Sequence, residues 1–439
     1  MKEIITSSGI RGLAISEISP ELCMKIGIAI SSIEKGEYII GHDVRLTSPL
    51  LASCLANGIC IGGSNSILIG LAPTPAIAFY ARYYTGGIII TASHNPPEYN
   101  GLKIFDKNGI PVNPSFYKSL LEIPIRYANW DSLGYIKNFY GLYEYIEFLI
   151  SHVNTKKKWK IGLDPGNGTT SLTAPLVFHN TGHEVKAINI NLDGRFPGRG
   201  AEPNEHTSKL LSDLIRKYSL DIGFAYDGDG DRVLIVDENG NVIPQDIALA
   251  QIAKFIAYKS HKPIVVNVDT SAIVDFVINS IGGRIFRSKV GDPYVIEEII
   301  KRDACFGGEP CGAWIFPNII KCPDGVLSSI MFLNFLDYEE VKPSELLQNL
   351  PSFFIERKNI SCRDKITTMK RVMSEIPKLY PDANISYIDG IRISWDDFTW
   401  ALIRPSGTEP LIRITVESVS RDKVKSLISS ITKLITKGD

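Results

Sequence analysis

No two cysteines in this 439-residue chain are spaced as CxxC. The seven that occur (Cys23, Cys54, Cys60, Cys305, Cys311, Cys322, Cys362) are odd in number and scattered. That argues against a disulfide framework or a zinc site and suits a reducing cytosol. No stretch approaches the roughly 18 uncharged apolar residues that a membrane helix needs. The opening MKEIITSSGIRG lacks the long apolar segment of a signal peptide. Charge of one sign is also lacking: the net charge is −1 and the pI near 6.7. No bulk field therefore attracts nucleic acid or an anionic membrane, and any anion site must be local. Low-complexity segments and fixed-period repeats are missing too. These absences lead us to expect a soluble, cytoplasmic protein without nucleic-acid or membrane partners. They do not choose between a monomer and a homo-oligomer.

Apolar residues, by contrast, make up 44% of the chain, enough for several cores. Single cores rarely grow past about 250–300 residues, so more than one domain is expected. Short Ile/Val-rich runs recur at EYIIG (37–41), SILIG (66–70), GGIII (86–90), KIGLD (160–164), DIGFAY (221–226) and PIVVNV (263–268). Segments such as SPELCMKIGIAISSIEKG and SPLLASCLANGICIGG between them carry helical apolar spacing and end at glycine. Buried strands alternating with helices predict α/β units. Linkers are expected near 121–134 and 338–354. After 355 charged strands, a helix and the closing amphipathic SRDKVKSLISSITKLIT predict a small α+β domain. The resulting division is 1–134, 135–245, 246–350 and 351–439, three α/β domains followed by one α+β domain.

The sharpest local feature is DGDGDR, residues 227–232. Asp227, Asp229 and Asp231 alternate with glycines, so three carboxylates converge on one side of a tight loop. Such a cluster repels itself unless a hard divalent cation resolves it. Mg²⁺ suits few protein carboxylates completed by a phosphate. An EF-hand is excluded because Arg232 stands where that loop needs glycine, and VLIV follows as a strand. The bland alternative is a solvated acidic hairpin turn. No histidine cluster competes for the metal: His179 and His183 have i, i+4 spacing, but HNTGHEV contains Gly182 and reads as a helix end, so both are structural or surface residues.

TASHNPPEYNG (91–101) follows the apolar run GGIII. Ser93 stands just past a buried strand, where α/β sheets place active residues. The elbow G-x-S-x-G of an acyl-transfer serine is missing, and an extended stretch would point His94 away from Ser93. Phosphoryl chemistry fits better. A phosphoserine needs cations and oriented donors, which the acidic-loop metal and Arg11, Arg232 or Lys103 can supply. Locally, a plain turn explains the same residues. RPSGTEP (404–410) lies between two strands and offers the Arg404 fork, the Ser406 and Thr408 hydroxyls and a Gly407 turn. That is an anion nest, or else an ordinary hairpin loop. GGEPCGAW (307–314) contributes Glu309 as an acceptor for sugar hydroxyls, and KVGDPYV (289–295) places Lys289 beside a glycine turn. Cys311 has no neighbour that marks it as a thiolate nucleophile.

With these segments in view the chain resembles the α-D-phosphohexomutase family of phosphomannomutases, phosphoglucomutases and phosphoglucosamine mutases. The likeness runs in family order through SSGIRG (7–12), GHDVR (41–45), TASHNPPEYNGLK (91–103), DGRFPGRGAEPNE (193–205), DGDGDR, KVGDPYV, GGEPCGAW and RPSGTEP. It implies three similar α/β domains with mixed sheets plus a C-terminal α+β domain, arranged as a heart around a central cleft. It also implies Ser93 as phosphoserine and a Mg²⁺ ligand beside Asp227, Asp229 and Asp231. Arg232 and Arg11 would contact the seryl phosphate, and Lys103 would shuttle a proton. Lys289, Gly291, Asp292, Glu309 and Cys311 would line the sugar site, and Arg404, Ser406, Gly407 and Thr408 would hold the distal phosphate. The implied reaction moves phosphate between O1 and O6 of a hexose phosphate through a hexose 1,6-bisphosphate. Thr6 and Ser7 depart from the usual Gly-Thr, His42 from arginine, Cys311 from Ser or Asn, and Ala313 from histidine. The last two leave the choice of hexose open, with a lean towards glucosamine. Two rival functions are a metal-dependent sugar phosphatase using the same serine and a catalytically silent phosphosugar-binding protein.

Overall fold

A computed structural model describes residues 4–348, 350–406 and 410–437 of the chain. The chain divides into two compact units, Lys2–Ala248 with Cys311–Leu346 and Leu249–Pro310 with Leu347–Asp439.

In the first unit, the β-branched runs read from the sequence pair as central strands. A seven-stranded mixed sheet runs in the order Ile5–Thr6, Gly9–Leu13, Tyr99–Asp106, Gly86–Ile90, Glu37–His42, Asn65–Leu71 and Ile136–Asn138. Gly86–Ile90 is buried along its whole length, as a strand covered on both faces must be. Helix Pro20–Ile33 begins where Ser19 caps the Leu22 N–H and Pro20 fits the first turn. It packs with Ser48–Ile61 over a core that includes Ile26, Ile30, Leu55, Ile88 and Leu102. The edge strand Ile136–Asn138 lies just past the limit drawn at 134, yet pairs with Asn65–Leu71. The first sheet thus reaches further than the linker composition predicts, because an exposed edge strand needs no apolar pattern.

A second sheet in the same unit has the order Val233–Val236, Ile222–Tyr226, Lys160–Asp164 and Glu184–Ala187. Its first pair is antiparallel, with Tyr226 opposite Val233. That register leaves the six residues Asp227–Arg232 as the tip of the connection. His179 lies in the last turn of helix Ala174–Asn180, with Gly182 at positive φ just beyond, in keeping with a helix end there.

In the second unit, Ile285–Ser288, Ile264–Asn267 and Phe306–Gly308 form parallel strands. Five antiparallel strands follow, in the order Phe354–Ser361, Leu411–Ser418, Thr399–Pro405, Ile391–Asp396 and Asn384–Ser386. Helices Lys365–Leu379 and Arg421–Thr436 cover this sheet through Val372, Ile376, Ile428 and Ile431. The change to an α+β pattern after 355 is borne out. Among the described residues no helix is long and apolar enough to cross a membrane.

Candidate active site

Ser93 follows the buried strand Gly86–Ile90 by three residues and is itself fully buried. Its φ is +52°, a left-handed conformation that costs a non-glycine residue on the order of 1–2 kcal/mol. The stretch is therefore not extended, and the expectation that His94 points away from Ser93 is corrected. The left-handed turn brings His94 Nδ1 to 3.2 Å from Ser93 Oγ. The seryl hydroxyl also donates to Asp227 Oδ2 at 2.7 Å. Burial, with the nearby Arg232 and Arg11 cations, holds His94 well below the usual histidine range, so the ring is neutral near pH 7.

The acidic loop is no solvated turn: Asp227 and Asp229 are 0% exposed and Asp231 6%. One oxygen from each lies within 4.8 Å of the others. The Asp227 Oδ1 accepts from the Gly230 and Arg232 N–H groups. Asp229 Oδ2 accepts from Thr74 Oγ1 at 2.5 Å and Lys103 Nζ at 2.8 Å, and Lys103 also pairs with Asp231. Burial and the like charges of Asp231 and Asp229 push Asp227 well above the usual carboxylate range. Burial acts the same way on Asp229, but the Lys103 ammonium and the hydrogen bonds it receives bring it below that range. Glycine is required at 228, where a Cβ would stand 2.8 Å from the Ser93 carbonyl oxygen. The serine loop and the acidic loop thus meet backbone to backbone.

Lys103 is 3% exposed and neutralises one of the three carboxylates. Arg232 Nη1 is 2.9 Å from Glu202 Oε1, while its Nε stands 3.9 Å from Asp231 Oδ1. Burial would lower its basicity, but Cys311, Glu202, Asp231 and Asp227 more than offset that. Asp229 Oδ1 is buried and has no hydrogen-bond partner among the described residues. An orphaned carboxylate oxygen is expensive unless a cation meets it. The all-oxygen donor set, its excess negative charge and this oxygen fit a hard divalent ion. Arg11 stands beside the serine loop, its Nη1 donating to Asn95 Oδ1 at 3.1 Å. One unit therefore brings together Ser93, Lys103, Arg11, Arg232 and the three aspartates. Cys311, half-buried near Arg232, belongs to it as well.

The second unit holds the remaining candidates. Glu309 Oε1 accepts from Asn267 Nδ2 at 2.6 Å and from the Gly291 N–H at 2.8 Å. Asp292 opens helix Asp292–Arg302 directly after Gly291, and Lys289 Nζ lies 5.5 Å from the Tyr294 ring centre. Asp389 Oδ2 accepts from the Val290 N–H at 3.2 Å and from Arg404 Nη1 at 3.3 Å, which ties Arg404 to the Lys289 segment. Ser406 is buried and takes a hydrogen bond on its carbonyl from Lys365 Nζ. Gly407 and Thr408 lie outside the described residues.

Four models of the phosphoglucomutase/phosphomannomutase family match the chain. They are alpha/beta/alpha domain I at 2–127, domain II at 143–240, domain III at 244–354 and the C-terminal domain at 358–434. A probable phosphoglucosamine mutase from Pyrococcus abyssi is 37% identical over 99% of this chain and 98% of its own length. The chain belongs to the phosphoglucomutase/phosphomannomutase family. A phosphoglucosamine mutase from Methanocaldococcus jannaschii is likewise 37% identical, over 97% of both chains. A crystal structure of a family protein from Burkholderia thailandensis matches with a TM-score of 0.88 at 22% identity, covering 100% of this chain and 98% of that one.

Within this family frame the sequence reading missed several polar partners. Thr74 on Asp229, Glu202 on Arg232, Asn267 on Glu309 and Asp389 on Arg404 all meet their targets from distant positions. Only the Asp and Arg of GHDVR gave a usable signal, being charges at the end of a buried strand.

Proposed function

We propose that the protein interconverts hexose 1-phosphate and 6-phosphate, with Ser93 as phosphate carrier and glucosamine phosphates as the favoured sugars. The observation that carries this reading is the 2.7 Å contact between Ser93 Oγ and Asp227 Oδ2 at the edge of a buried acidic triplet. A serine so placed can pass a phosphoryl group to a sugar hydroxyl, giving a 1,6-bisphosphate that returns its other phosphate to Ser93 after turning round. A Mg²⁺ ion held by Asp227, Asp229 and Asp231 beside the seryl oxygen would neutralise charge on the transferred group. Lys103 and the neutral His94 are the groups that hold or move a proton near Oγ, and Arg11 and Arg232 bind the seryl phosphate. Lys289, Gly291, Asp292, Glu309 and Cys311 serve the sugar. Arg404 and Ser406, with Gly407 and Thr408, take the phosphate that is not reacting, because each end of the sugar must be held while the other reacts. The named phosphoglucosamine mutases, similar over nearly their full length, support the choice of glucosamine. Seven free cysteines support work in the cytoplasm.

The test combines the intact mass of the purified protein with coupled assays on glucosamine, glucose and mannose 1-phosphates. We expect phosphate on Ser93, stimulation by hexose 1,6-bisphosphate, the fastest turnover with glucosamine 1-phosphate, and a loss of about 10⁴-fold or more in Ser93→Ala. Full mutase activity in Ser93→Ala would overturn the mechanism, and net release of inorganic phosphate would make the protein a phosphatase.

A further inference from the structure

Arg45 and Asp43 belong to GHDVR, a segment to which the proposed reaction assigns no task. Arg45 is 1% exposed and Asp43 0%. Every N–H of the Arg45 guanidinium is used. Nε donates to Asp43 Oδ2 at 3.0 Å, Nη1 to the carbonyls of Pro96 and Tyr99, and Nη2 to those of Ser93 and Asn95 at 2.8 and 2.7 Å. One side chain therefore gathers four carbonyl groups of the loop that carries Ser93. Asp43 fixes the arginine and reaches the serine by a second path. Its Oδ1 accepts from the Arg45 N–H and Ser48 Oγ, and its Oδ2 accepts from Thr91 Oγ1 at 2.7 Å. Thr91 Oγ1 in turn accepts from the Ser93 N–H at 2.8 Å. The Phe196 ring covers the guanidinium, its centre 5.1 Å from Cζ.

We infer that Arg45, anchored by Asp43 and Thr91, is the positioning residue for phosphoryl transfer at Ser93, holding that residue left-handed with its Oγ turned onto Asp227. The inference rests on the proposed carrier role of Ser93. Its physical ground is the gathering of carbonyl oxygens. Four of them converging on one buried point repel each other, and they stay there only around a cation with donors in a planar fork. Lysine has the charge but only three donors, without the fork, and cannot serve all four. Without the clamp the loop relaxes towards an unstrained backbone and carries Oγ off the transfer line. A displacement of about 1 Å is worth roughly 10²-fold in rate.

The experiment uses the full-length protein with Mg²⁺ and hexose 1,6-bisphosphate, comparing wild type, Arg45→Lys, Thr91→Val and Ser93→Ala. For Arg45→Lys we expect kcat, and the rate at which the bisphosphate phosphorylates Ser93, to fall together by about 10²-fold, with KM changed by less than about threefold. Thr91→Val, which removes one bond from Ser93 and leaves the buried charges paired, should lose about tenfold in the same two rates and carries the test if Arg45→Lys does not fold. Wild-type kcat and phosphorylation rate in a folded Arg45→Lys would overturn the positioning role. So would wild-type rates in Thr91→Val when Arg45→Lys is unfolded. Full activity in Ser93→Ala marks the different failure in which Ser93 is no carrier, and takes the inference down with it.

Discussion

Ser93, just past the buried strand Gly86–Ile90, and Arg404, near the end of the strand Thr399–Pro405, occupy similar places, but the protein holds them in opposite ways. Around Ser93 the buried charges are held by dense hydrogen bonding, with an excess of negative charge left on the acidic triplet. Arg45 gives four of its guanidinium N–H groups to backbone carbonyls and the fifth to Asp43, Lys103 answers two aspartates, and Thr74 answers one of them again. Arg404, half-buried, has a 3.3 Å contact to Asp389, and Ser406 is held through its backbone to Leu411 and Lys365. A desolvated charge with full partners has one geometry, since each lost hydrogen bond leaves a costly orphan. Arg404, whose one side-chain ion pair among the described residues is this long contact, is held less tightly and in the proposed function keeps its fork for a ligand. In the proposed function, that difference divides the atoms that react from the atoms that only bind.

Gly228→Ala should break this contrast most severely. The new Cβ would press at 2.8 Å on the Ser93 carbonyl oxygen and at 3.2 Å on the Phe196 ring, so one of the two loops must yield. We expect a loss of about 10²-fold in kcat with KM little changed, and overpacking should lower stability by about 1–3 kcal/mol. Steady-state kinetics beside a urea titration separate the two effects. An alanine variant with wild-type kcat would mean that the contact between the loops does not govern transfer.

Arg404→Lys sharpens the other side. It keeps the charge and removes the fork, so KM for both the 1-phosphate and the 6-phosphate should rise by about tenfold. The kcat and the phosphate content of Ser93 should hold. A variant that instead lost phosphate from Ser93 would show that the two loops are not separable in role.

What the sequence revealed follows the same divide between local and distant causes. The aspartates of DGDGDR were legible because alternation with glycine between two apolar runs is a local pattern, and the Tyr226–Val233 register places them as that pattern demands. Ser93 was legible as a residue at the end of a strand, and the Arg404 loop as a hairpin. The left-handed φ of Ser93 was not. A non-glycine residue adopts it there only under bonds from Arg45, 48 positions away, and no local propensity encodes that. Thr74 meets Asp229 across 155 positions, and Tyr145 Oη donates to Asp324 Oδ2 across 179. Such pairs arise where helices and loops distant in sequence meet in space, which periodicity does not report.

His94 gives the smallest expected effect and the most direct measure of how dry the serine loop is. Burial comes first in depressing its pKa, then the charges of Arg232 and Arg11, and Lys103 adds to them while Asp229 opposes. Above the ordinary histidine pKa the ring is neutral whether the chain is folded or not, and contributes no slope. As the pH falls below that value, the unfolded chain binds a proton that the folded one refuses. Stability is then lost by about 1.4 kcal/mol per pH unit until the depressed native pKa is reached. In His94→Gln that component is missing. Urea titrations from pH 7.5 down to pH 5, with EDTA present to exclude metal linkage, should therefore show wild type losing stability faster than the variant below about pH 6.5. Parallel curves would mean that His94 takes up its proton in the folded protein, and that water reaches the loop which the bonds of Arg45 and Asp227 are meant to keep closed.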